Sequence, residues 1–343
     1  MIKHIAIVSL SSGTIGEDFV RHEVDIGIKR LNDFGITVTF MPHALKGIEY
    51  VKDHPAERAT DLLQALNVPE IDMILCAIGG DDTYRLLPYL FEHNELVDAV
   101  SNKVFLGFSD TTINHFMFHK VGMKTFYGQS FLSDVCELDK DMLPYTKKYF
   151  QELISTGTIK EVRPSDIWYE ERTDYGIDQI GIPLKSHSDH GFELLQGNPV
   201  FSGEILGGGG IDSIYDFFNG DCHADMPLLC NKYRLFPDKE DWAGKILLLE
   251  SSEEKMSPEK YRKAVMALKE TGIFDVISGI LIGKPMDGTY EQEYKQVLVD
   301  VIDNSHLPIV CNINIGHAQP RCIIPFGVDA TVDIDHQVIR FTN

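Results

Sequence analysis

Four short, almost continuously apolar runs, "HIAIVSL", "ITVTFM", "IDMILCAI" and "KVFLGF", alternate with amphipathic stretches such as "EDFVRHEVDIGIKRLNDFG" and "PAERATDLLQALN". A strand that is apolar at every position must be covered on both faces, and helices lying between such strands supply the cover. The alternation therefore predicts an α/β fold with a parallel sheet. Ligands of such sheets bind beyond the carboxyl ends of the strands. Two runs end there in polar turns, "AIGGDDTYR" (77–85) and "GFSDTT" (107–112). The pattern weakens between about 150 and 200, where a polar, partly aromatic segment lacks sustained periodicity and reads as a linker or a functional loop. Strands resume at "KILLLE", "VISGILIG", "LPIVCNIN" and "DATVDID", with helical patterns at "SPEKYRKAVMALKETG" and "EQEYKQVLVDVIDN" between them. The expected division is an N-terminal domain 1–150, a linker and substrate loop 151–200, and a C-terminal domain 201–343.

With 343 residues, 43 % of them hydrophobic, the chain has material for two cores. Its formal charge of −21 argues against nucleic acid or an anionic membrane as partner, because phosphates need basic groups to neutralise them. No apolar run approaches the roughly 18–20 residues of a membrane span. The N-terminal run reads as a first strand rather than a secretory signal. Six scattered cysteines without a CxxC pair read as reduced thiols, which suits a cytoplasmic protein.

Ser109 stands between an apolar strand and a helical pattern, with Gly107 two positions before it. This partly matches the G-x-S-x-G nucleophile elbow, with Thr111 in place of the second glycine. The same serine suits a helix N-cap, and local pattern leaves both readings open. A serine nucleophile needs a histidine base, and the base needs an orienting carboxylate. His317, in "IVCNINIGHAQPRC", follows an apolar strand and a glycine, where a side chain can project into a cleft. Glu250 closes the apolar strand of "GKILLLESSEE", as either a catalytic acid or a surface cap. "HSDH" (187–190) and "DCHAD" (221–225) gather histidines and acids without the spacing of a closed zinc site, so no metal and no cofactor is expected. The glycines 207–210 lack the pattern of a phosphate loop and read as a tight turn.

Taken together, "AIGGDDTYRLLPYL", "FLGFSDTT", "GEILGGGG", "ILLLESSEE", "ILIGKP" and "NINIGHAQPRCIIPFGVDATVDID" resemble the serine peptidases that comprise the LD-carboxypeptidases and the microcin C7 self-immunity proteins, over nearly the whole chain. The resemblance implies a Ser–Glu–His triad of Ser109, Glu250 and His317, with the backbone N–H groups of Gly80 and Asp110 as oxyanion hole. It implies a Rossmann- or flavodoxin-like N-terminal domain carrying the serine, a smaller swivelling-type C-terminal domain carrying the other two, and a site between them. It also implies a homodimer. The two branches differ in substrate: a murein tetrapeptide that loses its terminal D-alanine, or an aminoacyl nucleotide of the microcin type. The long 150–200 region with Trp168 looks closer to the immunity branch, where such an aromatic stacks on a nucleobase; Tyr169 and Tyr175 are lesser candidates. A phosphate-bearing substrate would need local cations, and Arg85, Lys284 and Arg321 lie beside the motifs. A ligand trap without catalysis is the reading from another class.

Overall fold

The computed structural model describes residues 1–342, which divide into two compact units. The first holds Met1–Thr158 and Arg172–Leu184; the second holds Ile159–Glu171 and Lys185 onward. In the first unit, β1 (His4–Val8), β2 (Thr37–Phe40), β3 (Met73–Cys76), β4 (Val104–Gly107) and β5 (Thr125–Tyr127) form a parallel sheet in the order β5-β4-β3-β1-β2. Strands β3 and β4 are buried at every position, as their unbroken apolar runs require. Helix Arg21–Asp33 buries Val24, Gly27 and Leu31, one face at helical spacing. Helix Pro55–Asn67 opens on a proline, whose fixed φ and missing N–H suit a first helical turn.

The second unit is built on a mixed eight-stranded sheet. Its strands are β6 (Glu161–Val162), β9 (Glu193–Gln196), β10 (Val200–Gly210), β11 (Ile246–Glu250), β12 (Gly279–Gly283), β13 (Ile309–Ile313), β15 (Val328–Asp333) and β16 (Val338–Thr342), in the order β6-β16-β15-β10-β11-β12-β13-β9. The four central strands β10 to β13 run parallel. A separate ribbon pairs β7 (Ile167–Tyr169) with β8 (Ser186–Ser188), and the short β14 (Ile324–Phe326) precedes β15. Helices Pro258–Glu270 and Glu291–Ile302 pack on each other through stacked Tyr261 and Tyr294, 4.1 Å between ring centroids.

Two expectations are corrected. Glycines 207–210 are not a turn; they are the end of β10, hydrogen-bonded in parallel register with Leu247 to Glu250 of β11. Their lack of side chains serves packing, since a Cβ on Gly208 would strike the Leu248 carbonyl. The 150–200 segment is also more ordered than its polarity suggests. Helix Pro144–Thr156 runs into it, and four strands of two to four residues, too short to display a period of two, punctuate the rest. Among the described residues, no helix is long and apolar enough to cross a membrane.

Candidate active site

In the first unit, β4 ends at Gly107 and Phe108 remains extended. Ser109 then turns the chain sharply at φ 64°, the left-handed region that side chains other than glycine seldom enter. A 3-10 turn Ser109–Thr111 leads directly into the buried helix Thr112–Lys120. The N-cap positions of these two segments fall on Phe108 and Thr111, with no side-chain cap at either, so Ser109 is not the N-cap of either. A strained serine between a buried strand and a buried helix is the geometry of a nucleophile elbow. Strain of this kind costs on the order of 1–3 kcal/mol and persists only where the surroundings hold it.

Those surroundings are polar and buried. The Asp110 carboxylate accepts from the Ser11 hydroxyl at 2.6 Å and from the Thr83 backbone N–H at 2.9 Å, tying the elbow to two neighbouring loops. Burial pushes Asp110 up to about 6 against the pull of those two hydrogen bonds. The loop of residues 79–83 is held in turn by Arg58. Its fully buried guanidinium pairs with Asp82 at 2.6 Å and donates to the carbonyls of Leu10 and Ser11. Asp82 therefore serves as an ion-pair partner and makes no side-chain cap. Gly80 stands at φ 150°, and a Cβ there would overlap the Ser11 hydroxyl, so the chain needs glycine at this position. The Ser109 N–H donates to the Tyr127 hydroxyl at 3.2 Å. Beneath the elbow, buried His115 lies 3.2 Å from the Gly107 carbonyl and 2.7 Å from the Thr125 hydroxyl; burial drives its imidazole down to about 3, so it stays neutral.

In the second unit, Glu250 is the last residue of the fully buried β11 and His317 sits in the loop after β13. His317 Nδ1 lies 2.8 Å from Glu250 Oε2, and the His317 backbone N–H donates to the same oxygen at 3.3 Å. Gly316 makes this approach possible, because a Cβ there would collide with the Glu250 carboxylate. Buried Arg321 closes the loop by donating to the Gly316 and His317 carbonyls. A second carboxylate, Glu253 Oε2, lies 2.9 Å from His317 Nε2. Burial alone would disfavour the charged imidazole, but Glu250 and Glu253 outweigh it and hold His317 well above its usual range. Arg321 thus acts on the histidine loop from a buried position, while Arg85, in the first unit, is about one-third exposed and 3.8 Å from Asp82.

Trp168 lies on β7, and its ring stacks on His187 of β8 at 4.4 Å between centroids. The Lys284 ammonium sits 5.4 Å from that ring's centroid, bonded to Asn312 at 2.7 Å and paired with Asp189 at 3.5 Å. The next residue, Tyr169, donates its N–H to the Gln319 carbonyl at 3.0 Å, so the strand bearing Trp168 is fastened to the histidine loop. Tyr175 belongs to the first unit, where its carbonyl lies 2.9 Å from His22 Nε2. Asp189 and His187 of "HSDH" are committed to Lys284 and Glu170. Nearby, His190, Glu193 and Glu291 converge, but the Lys295 ammonium lies 2.6 and 2.7 Å from the two carboxylates, where a metal would have to sit.

Sequence reading missed Ser11, Arg58 and Glu253, and it offers Asp82 of "GGDD" only as a helix cap. Ser11 and Arg58 left no signal at their own positions, since their contacts join segments 24 to 99 residues apart. Glu253 lay inside the quoted "LLLESSEE", where acids just past a strand look like a solvated turn.

Residues 5–128 match the LD-carboxypeptidase N-terminal domain, and residues 208–332 match the LD-carboxypeptidase C-terminal domain. A crystal structure of an MccF-like protein from Streptococcus pneumoniae in complex with AMP is 60 % identical, with a TM-score of 0.98 over 100 % of this chain and 99 % of that one. The microcin C7 self-immunity protein MccF of Escherichia coli is 24 % identical over 83 % of this chain and 78 % of its own length. A structure of MccF in complex with aspartyl sulfamoyl adenosine has a TM-score of 0.80 at 22 % identity, over 99 % of this chain and 96 % of that one, a likeness of fold.

Proposed function

Because the chain belongs to the LD-carboxypeptidase family and is a serine-peptidase-type hydrolase, we propose that Ser109, Glu250 and His317 form its catalytic triad and that it cleaves an amide-type bond in an aminoacyl or peptidyl nucleotide. The observation that carries the nucleotide reading is the Trp168–His187 stack, fastened to the histidine loop through Tyr169 and Gln319. A flat aromatic surface beside the base suits a nucleobase, and such stacking is worth about 1–3 kcal/mol per base. The AMP held by the 60 % identical relative supports the same substrate class.

The roles follow from the chemistry. Ser109 Oγ attacks the scissile carbonyl while His317 Nε2 takes its proton. Glu250, fixed on Nδ1, selects the tautomer that presents Nε2 and stabilises the imidazolium that forms. The negative oxygen is received by the backbone N–H groups of Asp110 and Gly80; losing one such donor costs about 10²–10³ in kcat. His317 then returns the proton to the leaving nitrogen, and a water repeats the sequence to free the acyl group and Ser109. Arg58, Asp82 and Ser11 contribute by fixing the loops on which these donors stand, Arg321 by fixing the loop that bears His317, and Lys284 by adding positive charge beside the Trp168 ring. Arg85, 3.8 Å from Asp82, is assigned the contact to a phosphate in this reading.

The second reading is the reaction of the family's name, removal of D-alanine from a murein tetrapeptide. Incubation with aspartyl sulfamoyl adenosine and, separately, with the tetrapeptide distinguishes them by chromatography of the products. Release of the amino acid from the nucleoside is expected; release of D-alanine alone overturns the nucleotide reading. Absence of turnover of both, with tight binding retained, favours a ligand trap.

A further inference from the structure

His317 has a carboxylate on each ring nitrogen, Glu250 at 2.8 Å from Nδ1 and Glu253 at 2.9 Å from Nε2. An ionised carboxylate only accepts hydrogen bonds, and a neutral imidazole has a single N–H to give. Both contacts are satisfied together only by the doubly protonated ring. That ring cannot take a proton from a serine, so the arrangement with Glu253 in place describes His317 in a non-working state.

The two carboxylates are unlike. Glu250 is fully buried at the end of a central strand, whereas the Glu253 side chain is 61 % exposed on the loop that follows it. A buried partner is fixed, while one whose side chain is mostly in water can swing away and be hydrated there. From this asymmetry, and resting on the reading of His317 as the base, we propose that Glu253 is a positioning residue that decides when His317 is available: its carboxylate secures the proton on Nε2 and must withdraw before that nitrogen accepts the serine's proton. Each side of the pair is shifted in the direction this requires. The hydrogen bond from His317 draws Glu253 down to about 2, and the carboxylates hold His317 high. Two other charged groups of this unit, Asp212 and Arg321, are engaged differently. Asp212 lies near enough to feel the ring's charge but gives one oxygen to the Ser252 N–H, and Arg321 donates to the His317 carbonyl instead of the ring.

The test uses the full chain and a fluorophosphonate probe, so no physiological substrate is needed. The probe's phosphorus forms a bond to the Ser109 oxygen, the P–F bond breaks, fluoride leaves, and the serine proton passes to Nε2. Labelling rate is followed against pH for the wild type, Glu253→Gln, Ser109→Ala and His317→Gln. In Glu253→Gln the acid limb should move down by about one pH unit, which is about ten-fold faster labelling below the wild-type limb, with the alkaline plateau kept. A parallel NMR titration of labelled histidine, with His317 assigned by its loss in His317→Gln, should show its proton leaving at correspondingly lower pH. An unmoved limb and an unmoved resonance, or a uniform loss of rate at every pH, overturns the proposal. Failure of the underlying reading looks different: Ser109→Ala or His317→Gln would then label like the wild type.

Discussion

The elbow makes a quantitative prediction at Gly79. An ideal Cβ built there lies 2.6 Å from both Cβ and Oγ of Ser109, and 3.4 Å from the Asp110 nitrogen. Ordinary contact between such atoms is about 3.5–4.0 Å, so Gly79→Ala must drive the serine and the loop apart by about 1 Å. Ser109 has little room to yield. Its backbone is already at φ 64°, and the next residue is bound through its carboxylate to Ser11 and Thr83. A misplacement of about 1 Å costs roughly 10² in rate, whereas crowding of this size in a packed region costs about 1–3 kcal/mol of stability. For a unit of this length that lowers Tm by roughly 2–4 °C per kcal/mol. The assay is the initial rate of fluorophosphonate labelling, paired with a thermal melt of the same sample. A folded Gly79→Ala variant that labels within three-fold of the wild type would refute the reasoning, because the reacting oxygen would then not lie against this glycine.

Three further outcomes are expected. Glu250→Gln keeps a hydrogen-bonding group beside Nδ1 but removes the charge and favours the wrong tautomer; labelling should slow by about 10⁴-fold in a sample that a thermal melt shows to be folded. Trp168→Ala should weaken AMP binding about ten-fold or more by calorimetry while leaving the labelling rate within two-fold, since the ring acts on the base and not on the serine; unchanged affinity would remove Trp168 from the site. His115 is held neutral, with its proton affinity in the folded chain near 3 against 6.5 unfolded. Its contribution is present above pH 6.5 and is lost as pH falls from there toward 3. The stability of His115→Gln relative to wild type, from urea midpoints, should therefore improve on acidification by up to about 1.4 kcal/mol per pH unit in that window. A difference that does not vary with pH would contradict the burial of this histidine.

Much of the fold was legible because its strands are buried on both faces and so declare themselves as unbroken apolar runs; β1, β3, β4 and β11 to β13 all stand where such runs do. The strand-end positions of Ser109, Glu250 and His317 were legible for the same reason. What escaped is governed by partners distant in sequence. Glycines 207–210 look like a turn locally, and only the neighbouring backbone of β11 makes them a strand. Nothing in the amphipathic stretch "PAERATDLLQALN" marks Arg58 as the residue that Asp82 and the Leu10 carbonyl meet in the core. Glu253 stands among three other polar or acidic residues after β11, and its distinction is a distance of 2.9 Å to a ring 64 residues on.

The central claim, that Ser109 is the nucleophile activated by His317, is tested most directly by locating the covalent bond. The chain is treated with a fluorophosphonate, digested, and mapped by mass spectrometry. A single adduct on the peptide containing Ser109 is predicted, absent from Ser109→Ala and from His317→Gln. An adduct on any other residue, or undiminished labelling of Ser109→Ala, would contradict it.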